Sequence, residues 1–340
     1  MADLVAHRLR RAASALGTAD PLLAVGGLIE RTFERPVDDD GYGANTLTPG
    51  AAPLEPSFSE REPGALRFVL EPLGPDASPG ARRDEATREA RRLVGSAFGS
   101  GALRWLDRST EEFRSAAGTG ALDYGAWFGS SFDGNGLTAT KVYYELGPGS
   151  SGHLPPASSR LAATVARHLP LAQPAFLTVS CRRDRGSERV TFVPQHVLRV
   201  KDLEPLLTEL GLAHQLPGIM HAVGLALGGR FELPPASCLI GVADSPEGPE
   251  LKLEIALGMV PDLPRNFLDL IVMGLQERPS HLQALARWMQ AFTPEQAEWP
   301  GNFSVLSIRT SPRSAPRLSL YLRPVELEVG RLFAPVASAV

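Results

Sequence analysis

The stretch Thr138-Ala-Thr-Lys-Val-Tyr-Tyr-Glu-Leu-Gly147 decides how the rest of the chain is read. In an extended backbone side chains alternate with period two, so Lys141, Tyr143 and Glu145 share one face while Val142, Tyr144 and Leu146 share the other. A cation, a phenol and a carboxylate in one row suit a polar cavity better than a packed core. Working outward, the same kind of row recurs: Arg67, Val69, Glu71; Arg189, Thr191, Val193; Glu250, Lys252, Glu254; and Arg317, Ser319, Tyr321, Arg323. The intervening positions, among them Leu66, Phe68, Val190, Phe192, Leu251, Leu253, Leu318 and Leu320, are apolar. Rows of this kind at comparable spacing point to a closed sheet with a charged interior. An open antiparallel sheet with one solvated face gives the same alternation, its cations paired to Glu71, Glu145, Glu250 and Glu254.

Around these rows the chain reads as helices, then a hairpin, repeated. Amphipathic periodicity predicts helices over 3–17, 21–33, 83–99, 102–116, 158–168, 202–211, 216–228, 264–276 and 279–291. Extended pieces pair as 54–60 with 65–72, 126–133 with 137–146, 175–182 with 189–194, 236–243 with 250–257, and 303–309 with 316–327. Turn signals join them: Glu62-Pro-Gly64, Gly134-Asn-Gly136, Arg183-Asp-Arg-Gly-Ser187, Ser245-Pro-Glu-Gly248 and Ser311-Pro-Arg-Ser314. Hairpins require antiparallel pairing, which excludes a doubly wound parallel sheet. The expected class is α+β: ten antiparallel strands closed into a barrel, ringed by helices, with a lumen wide enough for a ligand. The expected layout is a single domain, with residues 1–50 as N-terminal helices and loop, 51–328 as the barrel repeats and 329–340 as a tail.

Composition removes several classes of function. The 340 residues are 43% hydrophobic and 21% charged, with a net charge of −4 and no lysine/arginine block, so no nucleic-acid partner is expected. Two cysteines, Cys181 and Cys238, make neither a disulfide framework nor a zinc site, and point to a cytoplasmic protein. Met1 to Arg11 hold Arg and His but no apolar h-region, so no secretory signal is expected, and without an apolar run of about 18 residues no membrane-spanning helix is expected. His196, His214 and His221 lack metal-ligand spacing, and Asp38-Asp39-Asp40 reads as a solvated loop. Gly147-Pro-Gly-Ser-Ser-Gly152 fits G-x-G-x-x-G in form, but it follows an antiparallel strand and has no acidic residue about 20 positions on.

Arg67, Lys141, Arg189, Lys252, Arg317 and Arg323 are the cations of the polar rows, and converging cations suit a diphosphate, whose oxygens accept charge-assisted hydrogen bonds. Tyr143 and Tyr321 stand beside them, where a phenol ring attracts a carbocation. At this point the chain resembles a known family. Pro53-Leu-Glu55-Pro-Ser57 followed by Leu66-Arg67-Phe-Val-Leu-Glu71-Pro72 is similar to the first hairpin of aromatic prenyltransferases of the dimethylallyltryptophan synthase family. Lys141-Val-Tyr143 resembles that family's Lys-x-Tyr strand, and Tyr321-Leu-Arg-Pro324 its last strand. The likeness runs over residues 50–328 and implies the αββα barrel.

The resemblance implies transfer of a prenyl group, dimethylallyl first, from its diphosphate to an indole such as tryptophan or a tryptophan-containing peptide. It implies no metal and no cofactor. Arg67, Lys141, Arg189 and Lys252 would hold the prenyl diphosphate, Tyr143 and Tyr321 would shield the allyl cation, and Glu55 would accept the indole N–H hydrogen bond. Lys141 or a water would take the final proton. Thr191 and Val193 stand where the family has Lys and Tyr, and Glu254 stands where a shielding Tyr is expected. Two alternatives stay open: a phenol or naphthol prenyltransferase of similar barrel fold, and a non-catalytic barrel that binds a small aromatic or anionic ligand. The expected partners are small molecules, with neither nucleic acid nor membrane, in a monomer or homodimer.

Overall fold

Five antiparallel hairpins join edge to edge until the first strand meets the last, so the alternation read from the sequence becomes an inside and an outside. The computed structural model describes residues 1–115, 122–147, 154–245 and 247–329. The glycine-rich run beyond Gly147, the end of the helix expected to reach 116, and the tail from 330 lie outside them.

Helices α1 (Ala2–Leu16) and α2 (Leu22–Thr32) come first, then the hairpin β1 (Leu54–Ser59) and β2 (Leu66–Leu70). Helices α3 (Pro79–Ala97) and α4 (Gly99–Ser115) lead to β3 (Ala126–Asp133) and β4 (Gly136–Glu145). Helix α5 (Pro156–His168) leads to β5 (Ala172–Arg182) and β6 (Gly186–Pro194). Two short strands, β7 (Leu198–Arg199) and β8 (Glu232–Leu233), pair outside the barrel and flank α6 (Glu204–Glu209) and α7 (Leu216–Ala226). The fourth hairpin is β9 (Cys238–Ser245) with β10 (Gly248–Ala256); α8 (Phe267–Leu275) and α9 (Pro279–Phe292) precede the fifth, β11 (Gly301–Ser311) with β12 (Ser314–Pro324).

The order around the closed barrel is β1-β12-β11-β10-β9-β6-β5-β4-β3-β2, and Ser57 opposite Tyr321 marks the closing seam. Because every sequential pair is a hairpin, all five turns lie at one end and the helix-bearing crossovers at the other. The outward positions Leu66, Phe68, Val142, Tyr144, Val190, Phe192, Leu251, Leu253 and Leu320 are buried beneath the helices. Each such side chain contributes about 1.5–3 kcal/mol by leaving water. Tyr144 shows how the layers lock: its ring stacks on Phe113 of α4 at 4.9 Å, and its hydroxyl meets Thr87 Oγ1 of α3 at 2.8 Å.

Several strands run longer than alternation suggests, into the turns at one end, and at two starts a bulge is the reason. β5 starts at Ala172 rather than 175 and β11 at Gly301 rather than 303, and each carries a bulge near its start, between Pro174 and Phe176 and between Phe303 and Val305. One extra residue in a strand breaks the period of two that a sequence reading depends on. The pairs β7 and β8 are only two residues each, too short to show any period.

Candidate active site

The inward rows line one cavity of about 160 Å³ inside the barrel. Arg67 comes from β2, Lys141 and Tyr143 from β4, Arg189 from β6, Lys252 from β10 and Tyr321 from β12; all six line it. Closure is what brings them together, since they come from all five hairpins. Glu55, the second residue of β1, is 6% exposed and sits at the crossover end of the same inner face, opposite Val69.

At the turn end the cavity is crowded with guanidinium groups. Arg309 of β11 lies opposite both Lys252 and Arg317, and Arg61, Arg182 and Arg185 add to the wall. Glu250 is the hub: Arg61 Nη1 donates to it at 3.2 Å, Arg189 Nη2 at 3.0 Å, and Arg309 Nη2 is hydrogen-bonded to the same carboxylate. Burial pushes the Glu250 carboxyl up, but Arg309, Arg189 and Arg61 outweigh it and hold the pKa at about 2. Arg309 is itself brought down to about 9 by burial and by Arg189. Cations still outnumber carboxylates among the lining residues. The Nε atoms of Arg67, Arg189 and Arg309 are buried and have no hydrogen-bond partner. A buried, unpartnered guanidinium N–H is costly, and an anion at this spot satisfies it.

Lys141 is half-buried in the same cavity. Desolvation first, then Arg67, Lys252, Arg189 and Arg309, push its pKa well below the usual lysine value. Lys252 differs, being engaged within the lumen: its Nζ donates to Glu254 Oε1 at 2.6 Å and to the Tyr321 hydroxyl at 2.9 Å. Glu254 therefore neutralises Lys252, while Glu250 turns to the arginines. Lys252 Nζ also lies 5.4 Å from the centre of the Tyr321 ring.

The crossover end is more aromatic. Ser304, the extra residue of the β11 bulge, donates to Glu55 Oε1 at 2.6 Å. Desolvation dominates there, with Glu254 adding repulsion, and the Glu55 carboxyl is raised to about 7. Tyr321 is buried and Tyr143 half-buried; desolvation raises both phenols, so both stay neutral. The Tyr143 ring lies over Gly129 of β3, where a Cβ would meet it at 3.3 Å. The far carboxylates of the polar rows hold the scaffold instead: Glu145 accepts from the backbone N–H groups of Asp123, Tyr124 and Gly125, and Glu71 accepts from Thr46. Arg323 leaves the group as well, bonding Glu328 and the Pro49 carbonyl.

Sequence reasoning missed Arg309, Arg182, Phe176 and Ser304. Arg309 and Arg182 were legible, since each continues the alternation of its strand past the apolar Ile308 and Cys181. Phe176 was legible in the same way, since it shares the inward row of Thr178, Ser180 and Arg182, whereas Ser304 was not, because it forms a bulge. Among the described residues no group of three or more His, Cys, Asp or Glu is placed to hold a metal ion, and no helix is long and apolar enough to cross a membrane.

No protein-family model matches the chain, and no curated protein matches it. Solved structures do. The apo form of prenyltransferase PriB is 19% identical, with a TM-score of 0.73 over 96% of this chain and 97% of that one. The 6-dimethylallyltryptophan synthase from Micromonospora olivasterospora, in complex with DMASPP and Trp, is 18% identical, with a TM-score of 0.73 over 96% and 98%. The 5-dimethylallyl tryptophan synthase from Streptomyces coelicolor, also in complex with DMASPP and Trp, is 19% identical, with a TM-score of 0.72 over 99% and 98%. The likeness is one of fold: the chain has the αββα barrel of these prenyltransferases along nearly its whole length.

Proposed function

We propose that this chain is an aromatic prenyltransferase, metal-independent, that moves a dimethylallyl group from its diphosphate to an indole such as tryptophan or a tryptophan-containing peptide. The observation that carries the reading is the division of one lumen into a cation-rich end with unpartnered guanidinium donors and a more aromatic end with a buried carboxylate. The barrels of the same fold in complex with DMASPP and Trp support it.

In this reading Arg67, Lys141, Arg189 and, less directly, Lys252 hold the diphosphate as its C–O bond breaks and the electron pair leaves with it. Preorganised charge at the leaving group lowers that barrier. Tyr143 and Tyr321 present faces to the allyl cation without offering an ionised oxygen to trap it. Glu55 accepts the indole N–H, a bond that strengthens as the attacking ring becomes positive, so it acts in the transition state. The new C–C bond forms at a ring carbon, and the arenium proton goes to a water or to Lys141 once that lysine has given up a proton. Burial and four neighbouring cations favour the neutral amine of that lysine, the form that accepts a proton.

The test is incubation with dimethylallyl diphosphate and a panel of indoles, phenols and naphthols, with and without EDTA. Prenylated indole, formed equally with EDTA, is the expected result. Product from phenols or naphthols alone would overturn the indole acceptor, and diphosphate binding without any turnover would overturn the enzyme.

A further inference from the structure

An allyl cation kept from water needs aromatic faces around it and no nucleophile within reach. Thr191, Val193 and Glu254 carry no ring, and one approach to the Tyr321 ring is already taken by the ammonium of Lys252. On the neighbouring strand a ring heads the inward row Phe176, Thr178, Ser180, Arg182. Phe176 is 5% exposed and lines the same cavity as Lys141 and Tyr143.

How Phe176 comes to face the lumen is visible in the register. Pro174 pairs with Phe192 and Phe176 with Thr191, so Ala175 is one residue too many for β6. A bulge bends its strand and re-aims the side chain that follows, and bulges gather beside active sites for that reason. Thr191 lies directly opposite Phe176, and its short side chain leaves room for the ring. The Thr191 hydroxyl is buried with no hydrogen-bond partner. A small residue on β6 and a large aromatic one on β5 thus trade places across one strand pair.

The ring of Phe176 is then held by two others set steeply to it. Tyr143 meets it at 5.8 Å and 72°, and Trp127 at 5.8 Å and 63°. Trp127 is pinned in turn: it stacks on Tyr124 at 4.1 Å, and its Nε1–H donates to Thr46 Oγ1 at 3.1 Å and Glu71 Oε2 at 3.3 Å. Glu71 is 1% exposed and is fixed by the Thr46 backbone N–H and by Arg82. Edge-to-face packing of this kind fixes the orientation of a ring, and Phe176 still lines the cavity.

We propose that Phe176 forms part of the cation site, its face stabilising the allyl cation on the side of the lumen where β6 and β10 carry no ring, and that Trp127 is the positioning residue that holds that face. This rests on the prenyl-transfer reading above. Once the donor C–O bond has broken and its electron pair has gone to the diphosphate, the cation has two fates. A ring carbon captures it and the ring loses a proton, or water captures it to give the prenyl alcohol and a proton.

The experiment measures both fates in the full-length protein with dimethylallyl diphosphate, with an indole and without any acceptor. Binding of the thiodiphosphate analogue is followed by calorimetry, which also shows that each variant is folded. Phe176→Leu keeps apolar bulk and removes the π-face. It is expected to slow donor ionisation about ten-fold and to raise the share of prenyl alcohol, with thiodiphosphate affinity within about three-fold of wild type. Phe176→Tyr is expected to restore the rate. Trp127→Leu is expected to lower kcat about three-fold with an unchanged donor KM, and Trp127→Phe to recover it. Ionisation and partition in Phe176→Leu equal to wild type would overturn the role of Phe176, and an unaltered kcat in Trp127→Leu would overturn the positioning. If the wild type ionises the donor and prenylates no aromatic, the acceptor reading fails, yet the alcohol released still reports on Phe176.

Discussion

Glu250 and Glu55 are both buried carboxylates on the inner face of one barrel, yet the first is held at about 2 and the second is raised to about 7. Glu250, at the turn end, is 3% exposed and shared by Arg61, Arg189 and Arg309. Glu55, at the crossover end, has one serine hydroxyl and the repulsion of Glu254. Desolvation acts on both in the same direction, so the neighbours decide. Three guanidinium groups more than offset burial, and one hydroxyl does not. The same scaffold therefore offers an anion site at one end and a poised hydrogen-bond acceptor at the other, a few residues apart along the strands.

The largest effects should come from breaking the cationic end. Arg67→Ala and Lys141→Ala are each expected to weaken thiodiphosphate binding by about 1.5–3 kcal/mol, the range for a hydrogen bond to a charged group. The double variant should lose less than the sum, because the two share a ligand. Unchanged affinity in both single variants, read by calorimetry, would separate the charged end from donor binding.

At the other end, Glu55→Gln is expected to lower kcat with an indole by about 2 kcal/mol, or some thirty-fold, and to leave donor binding almost unchanged. Wild-type turnover should also rise with pH through about 7, as the carboxyl that must accept the N–H becomes ionised. A flat profile across that range, or full turnover in the glutamine variant, would remove Glu55 from the chemistry.

The raised carboxyl also bears on stability, with a definite sign. Its folded pKa of about 7 lies above the ordinary 4.5, so the stabilising contribution of its neutral form is complete below 4.5 and is lost as pH rises through 7. Glu55→Gln should therefore match wild type near pH 5 and exceed it at pH 8 by on the order of 2 kcal/mol, a gain in stability set against a loss of turnover. Equal denaturation midpoints at pH 8 would mean that Glu55 is not strained by burial.

The smallest effect sharpens the cationic end without removing a charge. A Cβ on Gly241 of β9 would fall 2.7 Å from Arg189 Cδ, so Gly241 is what lets Arg189 lie across the strand toward Glu250. Gly241→Ala is expected to shift that flexible side chain and cost the donor a few-fold in affinity, about 0.5–1 kcal/mol. An affinity equal to wild type would show that Arg189 reaches the anion by another path.

Much of this architecture was legible because alternation is a local property. Lys141 and Tyr143 against Val142 and Tyr144, repeated in Arg67, Arg189, Lys252 and Tyr321, states which side chains face in, and the turn signals between the pieces state that the pairing is antiparallel. Antiparallel strands in this number leave fewer exposed edges by closing, which favours the barrel over the open sheet that shares the pattern. The bulges were hidden. Ala175 and Ser304 look like any other strand residue, and only the partner strand reveals that there is one residue too many.

What the sequence by itself determined, then, was the polar row of each strand and the antiparallel pairing of the hairpins. Closure, which an open sheet with one solvated face would have matched in pattern, was decided by the fold. Only the tertiary structure decided which inward groups share a partner. Glu250 was read as a neighbour of Lys252, two positions away on the same strand; in the folded barrel it belongs to Arg189 and Arg309, while Lys252 turns to Glu254 and Tyr321. The physical reason is that partners across a barrel are set by register between strands distant in sequence. In a desolvated lumen, whichever charges that register brings within hydrogen-bonding distance decide the protonation of one another.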